Sequence, residues 1–255
     1  MRLKITMQNP EKSEIYELPL DYRRIFISFF KSCFKNTPIY NELYGEQKVW
    51  KPFAFSVKFS KIIEIKSQQK TIVVKSPFEI LFTSGDYNVI AHLVNGVLKL
   101  QTQSYKWKDI VLPQVSNIQV LKTPEINSKE IMFQTVGISI LTNPFESAKN
   151  FENYFLIPPE DKQDKEKLEK FNQILNYRTC QKFEYFKNKK CPSELLFEPI
   201  SIKSDRVFFY GGYLRGFRGT FKLKGDLEIL KFIYDYGFGV KTGQGFGVLK
   251  IVYND

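Results

Sequence analysis

Histidine is nearly absent from this chain: His92 is the only one in 255 residues. Histidine is the usual acid–base group near neutral pH. A single copy, on a helical stretch and off its apolar stripe, reads as an ordinary surface residue and gives no support to a Ser-His-Asp or Cys-His nucleophile. Cysteine is scarce too. Cys33, Cys180 and Cys191 cannot all pair, and none sits in a CxxC motif, so inert thiols are expected rather than disulfides or metal ligands. With so few His and Cys, and carboxylates scattered along the chain, no metal site is expected. There is no apolar run near 18 residues, which excludes a transmembrane helix of the usual kind. The opening MRLKITMQNP lacks the apolar centre of a signal peptide, and a cytoplasmic protein with no membrane partner is expected. Between Asp21 and Glu42 there is no acidic residue.

Positive charge and aromatic rings are abundant. Lys and Arg number 38 against 27 Asp and Glu, a formal net charge of +11, and there are 24 Phe and 14 Tyr. A surplus of that size points to a polyanionic partner or a membrane surface. The hydrophobic fraction of 43% is enough for real cores, and the length suits one large domain or two of about 125 residues each.

Patterning places the elements. MRLKITMQ alternates as a half-buried strand does. A helix is expected over about 21–35, with Phe26, Phe30, Cys33 and Phe34 on one side and Arg24, Ser28, Lys31 and Lys35 on the other. FAFSVKFSKIIEI and TIVVKSPFEILFTS read as a strand pair. DYNVIAHLVNGVLKL reads as a second helix, and YKWKDIVLPQVSNIQVLK returns to strand. After the turn-prone KTPEINSKE the pattern restarts: strand IMFQTVGISIL, a long charged helical region after Pro158-Pro159, two strands around Gly211-Gly212, a short helix DLEILKFIYDY with Leu227, Leu230, Ile233 and Tyr234 on one face, and a last strand. The order is β-α-β-β-α-β twice, which predicts an α+β protein of tandem ferredoxin-like domains, 1–125 and 126–255.

Between the last helix and the last strand lies GFGVKTGQGFG, Gly237 to Gly247. Five glycines around Lys241 make a loop whose N–H groups and cation suit phosphate. It is not a dinucleotide fingerprint, because it follows a helix and precedes a strand, and it is not a Walker A loop, because no GK[ST] follows a GxxxxG. No cofactor is therefore expected. A tight connection packed on a sheet is the bland alternative. Arg215 and Arg218 lie in GGYLRGFRG with Tyr210 and Tyr213 interleaved, and Lys222 and Lys224 alternate along the strand that follows. Such a set suits stacking on bases and pairing with phosphates, although a solvated hairpin would look similar. Tyr40, Tyr44, Lys48 and Lys51 cluster after the first helix as a loop with aromatic anchors.

YGGYLRGFRGTFKLKGDLEILKFIYDYGFGVKTGQGFGVLKIV resembles the C-terminal half of the CRISPR repeat-processing endoribonucleases, of the repeat-associated mysterious protein superfamily. The signature is G-hydrophobic-G, five residues including a Lys or Arg, then G-hydrophobic-G. Gly237, Phe238, Gly239, Lys241, Gly245, Phe246 and Gly247 satisfy it. The resemblance is specific over about the last 45 residues and extends in element order over nearly the whole chain. It implies binding of the repeat in precursor CRISPR RNA and metal-independent cleavage by the ribose 2′-hydroxyl. Many members carry a histidine in the loop after the first helix, where this sequence has Tyr44. The resemblance therefore implies a catalytic set without histidine, Lys31, Tyr44 and Lys48 or Lys51. It implies RNA contacts from Lys241 and Gln244, Arg215 and Arg218, Arg23 and Arg24, and the loop glycines Gly237, Gly239, Gly245 and Gly247. Partners implied are repeat RNA, CRISPR effector subunits and a second copy of the chain. Two other readings stay open: a family member that binds repeat RNA without cutting it, and an RNA-recognition module outside CRISPR systems. The second of these lacks the aromatic-rich sheet motif such modules use.

Overall fold

Leu3, Ile5 and Met7 alternate with polar residues, and in the computed structural model they bury one face of β1 (Arg2–Met7). The structure describes residues 1–9, 14–45, 50–101, 103–160 and 163–253. By its contacts the chain divides into two units. The first holds Met1–Lys122 with Phe208–Gly212 and Gly243–Gly245, and the second holds the remainder. The units are thus not two consecutive halves of the sequence.

In the first unit, β1 is followed by β2 (Ile15–Pro19), α1 (Arg23–Phe34), α2 (Tyr40–Tyr44), β3 (Phe53–Lys66), β4 (Thr71–Ser84), α3 (Tyr87–Leu100), the small hairpin β5 (Lys106–Trp107) and β6 (Ile110–Val111), and β7 (Val115–Leu121). The sheet runs β7-β1-β4-β3 and every neighbour pair is antiparallel. β2 continues along the same side of β4 as β1. Helix α1 buries Ile25, Phe26, Phe29, Phe30, Cys33 and Phe34. The Phe30 ring sits 4.8 Å from Phe55 and 5.2 Å from Phe82. Each such ring, fully buried, contributes about 1.5–3 kcal/mol through apolar surface withdrawn from water. Helix α3 starts where the Asp86 carboxylate accepts the Asn88 N–H at 2.8 Å, an N-cap that satisfies one of the helix's orphan donors.

In the second unit the order is β8 (Glu130–Val136), β9 (Leu141–Thr142), α4 (Phe151–Tyr154), β10 (Phe155–Leu156), α5 (Lys165–Lys187), β11 (Leu196–Phe209), β12 (Gly212–Lys224), α6 (Leu227–Tyr236) and β13 (Val248–Ile251). Its sheet runs β11-β12-β8-β13. Read from the last strand, both sheets have the order fourth, first, third, second, so the chain is a tandem ferredoxin-like α+β protein. The tip of the β11–β12 hairpin turns at Tyr210 and Gly211, both with positive φ, as the two-residue hairpin turns of the primed type require.

Four details depart from the sequence reading. IMFQTVGISIL is not one strand. The chain leaves β8 at Gly137 (φ 85°), and Ser139 then exchanges two backbone hydrogen bonds with Phe217. Leu227 is exposed, because it stands at the first turn of α6, and the buried stripe begins at Ile229. The first repeat carries two pieces beyond β-α-β-β-α-β, β2 and the β5–β6 hairpin. Cys180 and Cys191 are not inert thiols but a disulfide, because the chain turns back after α5 and brings Cys191 to within 5.2 Å of Cys180, Cα to Cα. Cys33 alone is free, buried on the inner face of α1. No helix among the described residues is long and apolar enough to cross a membrane.

Candidate active site and glycine-rich loop

The basic side of α1 follows from the burial of the opposite side. With Phe30, Cys33 and Phe34 inward, Lys31 is left exposed. The short helix α2 is anchored by buried Leu43, and this holds Tyr44 half-buried, its ring 6.2 Å from Phe34 and 5.7 Å from Tyr40. Lys51, just before β3, lays its ammonium 4.8 Å from the centre of the Tyr44 ring, a cation–π contact. Burial, and then the positive charge of Lys31, pushes the Lys51 amine below its ordinary 10.5. Burial pushes the Tyr44 phenol the other way, up, with the Cys33 and Tyr40 groups adding to the effect. The structure therefore brings three of the expected residues, Lys31, Tyr44 and Lys51, into one electrostatic neighbourhood. Lys48 lies outside the described residues.

Gly243 of the glycine-rich segment closes on this group. A Cβ there would stand 2.6 Å from Lys51 Cγ and 2.7 Å from Lys51 Cβ, so the absent side chain is what leaves Lys51 its place. Nearby in the first unit, Arg23 is buried rather than displayed on the basic side of α1, and its Nε donates to the Gly245 carbonyl at 3.3 Å. Arg24 pairs with Asp21 at 3.6 Å, and its guanidinium lies 4.6 Å from the ring centre of Tyr210 at the hairpin tip. Asp21 in turn accepts the Tyr210 N–H at 2.8 Å, and burial raises its carboxyl pKa in spite of these partners. Gln244 Oε1 is buried with no hydrogen-bond partner among the described residues.

In the second unit the loop is built by backbone packing. Gly237, Gly239 and Gly247 all have positive φ, as does Lys241 at 58°. A Cβ on Gly239 would overlap the Ile140 carbonyl, and one on Gly247 the Phe238 carbonyl. The N–H of Gly237 donates to Ile233 O and that of Gly247 to Ile138 O, each at 2.9 Å. Those two N–H groups are engaged inside the protein and are not held out for a phosphate. The sequence reading offered a phosphate cradle and a packed connection, and for these two glycines the geometry is the packed connection. Lys241 is half-buried, and burial lowers its pKa from 10.5.

Lys182 was not singled out by the sequence, yet it lies directly under this loop. It is 6% exposed, and its ammonium donates to Tyr236 O (2.6 Å), Gly237 O (3.2 Å) and Thr242 Oγ1 (3.2 Å). Burial pushes its pKa down to about 7. The signal was present: Phe171, Ile174, Leu175, Thr179, Lys182 and Phe183 form the buried stripe of α5, and a lysine within such a stripe needs acceptors.

The hairpin cations are not bare. Arg215 pairs with Glu152, Arg218 with Asp205 at 2.9 Å, Lys222 with Glu130 at 2.7 Å, and Lys224 with Glu198 at 2.6 Å. Asp205 and Glu198 lie on the paired strand β11, whereas Glu152 and Glu130 come from elements far away in sequence, which the strand pattern alone could not reveal.

A family model described as "CRISPR associated protein Cas6, C-terminal" matches residues 121–251, just over half of the chain. The chain belongs to the Cas6 family. Among curated Cas6 relatives, it is 28% identical over 198 residues to a putative CRISPR-associated endoribonuclease-like protein Cas6 of Pyrococcus furiosus, covering 76% of this chain and 78% of that one. It is 24% identical over 256 residues to the CRISPR-associated endoribonuclease Cas6 1 of Methanocaldococcus jannaschii, covering 98% and 92%. Among solved structures it is similar to one described as a RAMP protein binding different RNA substrates, with a TM-score of 0.78, 21% identity and coverage of 99% and 100%. A structure described as a CRISPR-associated protein Cas6 gives a TM-score of 0.73 at 22% identity over 99% of both chains. At these identities the structural neighbours speak for the Cas6 fold.

Proposed function

We propose that this chain binds CRISPR repeat RNA and cuts precursor CRISPR RNA within the repeats. The observation that carries the reading is membership of the Cas6 family, with its endoribonuclease relatives over most of the chain. In the reaction, the 2′-oxygen of the ribose bonds to the adjacent phosphorus and the bond from phosphorus to the 5′-oxygen breaks. The products are a 2′,3′-cyclic phosphate and a 5′-hydroxyl. One proton leaves the 2′-hydroxyl and one reaches the departing 5′-oxygen, and no metal takes part.

Lys51 is our choice for the base. An amine pushed below 10.5 is neutral in a larger fraction of molecules at working pH than an ordinary lysine. Tyr44, whose phenol stays protonated, donates a hydrogen bond and holds the Lys51 stem. Lys31 supplies positive charge to the phosphorane. Lys48 remains in the proposed set. Arg24, Tyr210, Lys241 and Gln244 bind the RNA, with Arg215 and Arg218 exchanging their carboxylates for phosphates. Arg23, Gly237, Gly239, Gly245 and Gly247 hold the loop that presents them. Association with CRISPR effector subunits, pairing of two chains and action in the cytoplasm belong to the same proposal.

The second reading is a member that holds repeat RNA uncut: with Tyr44 in the place of a histidine and its phenol kept protonated by burial, only lysines are left to take the 2′-hydroxyl proton. A single-turnover assay separates the two. Labelled repeat RNA meets excess protein in EDTA, beside a copy with deoxyribose at the scissile position. Cleavage of the first alone supports the reaction above, whereas tight binding with both copies intact supports the second reading.

A further inference from the structure

We propose that Lys182 is the positioning residue of the glycine-rich loop: from α5, its ammonium clamps the end of α6 to Thr242 and so fixes the backbone from which Lys241 projects. A lysine ammonium has three donors and no acceptor, and all three are matched here, to Tyr236 O, Gly237 O and Thr242 Oγ1. Tyr236 O is the last carbonyl of α6, a group that has no partner within the helix and sits at its negative end, and Gly237 O belongs to the residue that caps it. The third begins the chain just after Lys241. The clamp therefore spans the left-handed residues Gly237, Gly239 and Lys241, a run of backbone that strays from the ordinary regions and persists only when held. The disulfide from Cys180, two residues before Lys182, ties the same part of α5 to Cys191.

The consequence for RNA rests on the function proposed above, whereas the clamp itself does not, and the test keeps the two apart. The first measurement is hydrogen exchange on the free protein below pH 7, where the Lys182 amine carries its proton, with the variants Lys182→Met and Thr242→Val. Amides of 237–242 should exchange about tenfold faster or more in both variants, the equivalent of one or two lost hydrogen bonds, while the first turns of α5 stay unchanged. Unchanged loop exchange overturns the proposal. So does a uniform rise across the second unit, which would make Lys182 a plain stability residue. If Lys182→Met does not fold, Thr242→Val, which removes one acceptor only, carries the measurement.

The second measurement is affinity for repeat RNA with deoxyribose at the scissile position. Lys182→Met and Lys241→Gln should each weaken binding by about fivefold to tenfold, and together by little more than either alone, because the first acts through the second. Effects that multiply break the link between Lys182 and Lys241. Absence of RNA binding by the unaltered protein sinks the functional reading and leaves the clamp to be decided by exchange.

Discussion

In each unit a connection leads from the second helix of the ferredoxin-like repeat to the last strand, and the two connections are built on opposite principles. In the first unit, residues 101–114 contain no glycine. The chain there folds on itself as the β5–β6 hairpin, with Leu112 N–H donating to Tyr105 O at 2.9 Å, and it is seated by side chains, Leu112 buried in the core and Tyr105, Trp107 and Ile110 packed against it. In the second repeat, the segment 237–247 contains five glycines, of which Gly237, Gly239 and Gly247 belong to the second unit. It is held by bonds to other parts of the chain, Val240 N–H to Ile140 O and Gly247 N–H to Ile138 O, and by the buried Lys182. A connection that packs side chains can be made of any residues. A connection that packs backbone on backbone has no room for Cβ and must be glycine.

The sharpest way to break this contrast is Gly239→Ala. The residue has φ of 71° and a Cβ would meet a carbonyl, so a loss of about 3 kcal/mol of stability is expected in a denaturant melt, from left-handed strain and overlap together. Gly243→Ala meets side chains rather than backbone, Lys51 closely and Phe53 at ordinary contact distance, and should cost much less stability, while moving Lys51 and slowing cleavage. Equal stability losses at the two positions would remove the distinction between the parts of the segment.

Next in size are the proposed reacting groups. Lys51→Met should cut the single-turnover rate by about 100-fold with RNA affinity little changed, as loss of a positioned base or charge does. Tyr44→Phe, which keeps the packing against Phe34, should cut it by about tenfold. In the unaltered protein the rate should rise with pH as Lys51 loses its proton, below the pH expected for an amine of ordinary 10.5. A rate flat with pH speaks against Lys51 as base.

The buried Lys182 gives a stability test of its own. Its pKa is about 7 folded and 10.5 in ordinary surroundings. Between those values the unfolded chain carries a proton that the folded chain has released, so stability rises with pH across that window and falls again as pH drops toward 7. Lys182→Met lacks this contribution. The stability of the unaltered protein relative to the variant should therefore grow from pH 7 to pH 10, and a constant difference contradicts the depressed pKa.

Smallest is Arg218→Gln. The pair with Asp205 is exposed, so stability should move by less than about 0.5 kcal/mol. If Arg218 meets phosphate, the slope of log affinity against log salt should fall in magnitude by about 0.7, the value for one contact on a single strand.

The sequence by itself determined the two β-α-β-β-α-β runs, because the alternation in β1 and the helical spacing of Phe26, Phe30, Cys33 and Phe34 are local consequences of burying one face. It determined the family as well, through the spacing of Gly237, Phe238, Gly239, Lys241, Gly245, Phe246 and Gly247. How those residues pack was settled only by tertiary structure. Glycine looks alike in sequence whether it leaves room for a ligand or for another backbone, and only Ile138 and Ile140, about a hundred residues earlier, distinguish the cases at Gly239 and Gly247. The carboxylates that pair Arg215 and Lys222, the inward turn of Arg23 and the three acceptors around Lys182 are likewise set by residues distant in the chain. A hydrogen bond or a charge pair depends on distance in space, and the fold alone converts one distance into the other.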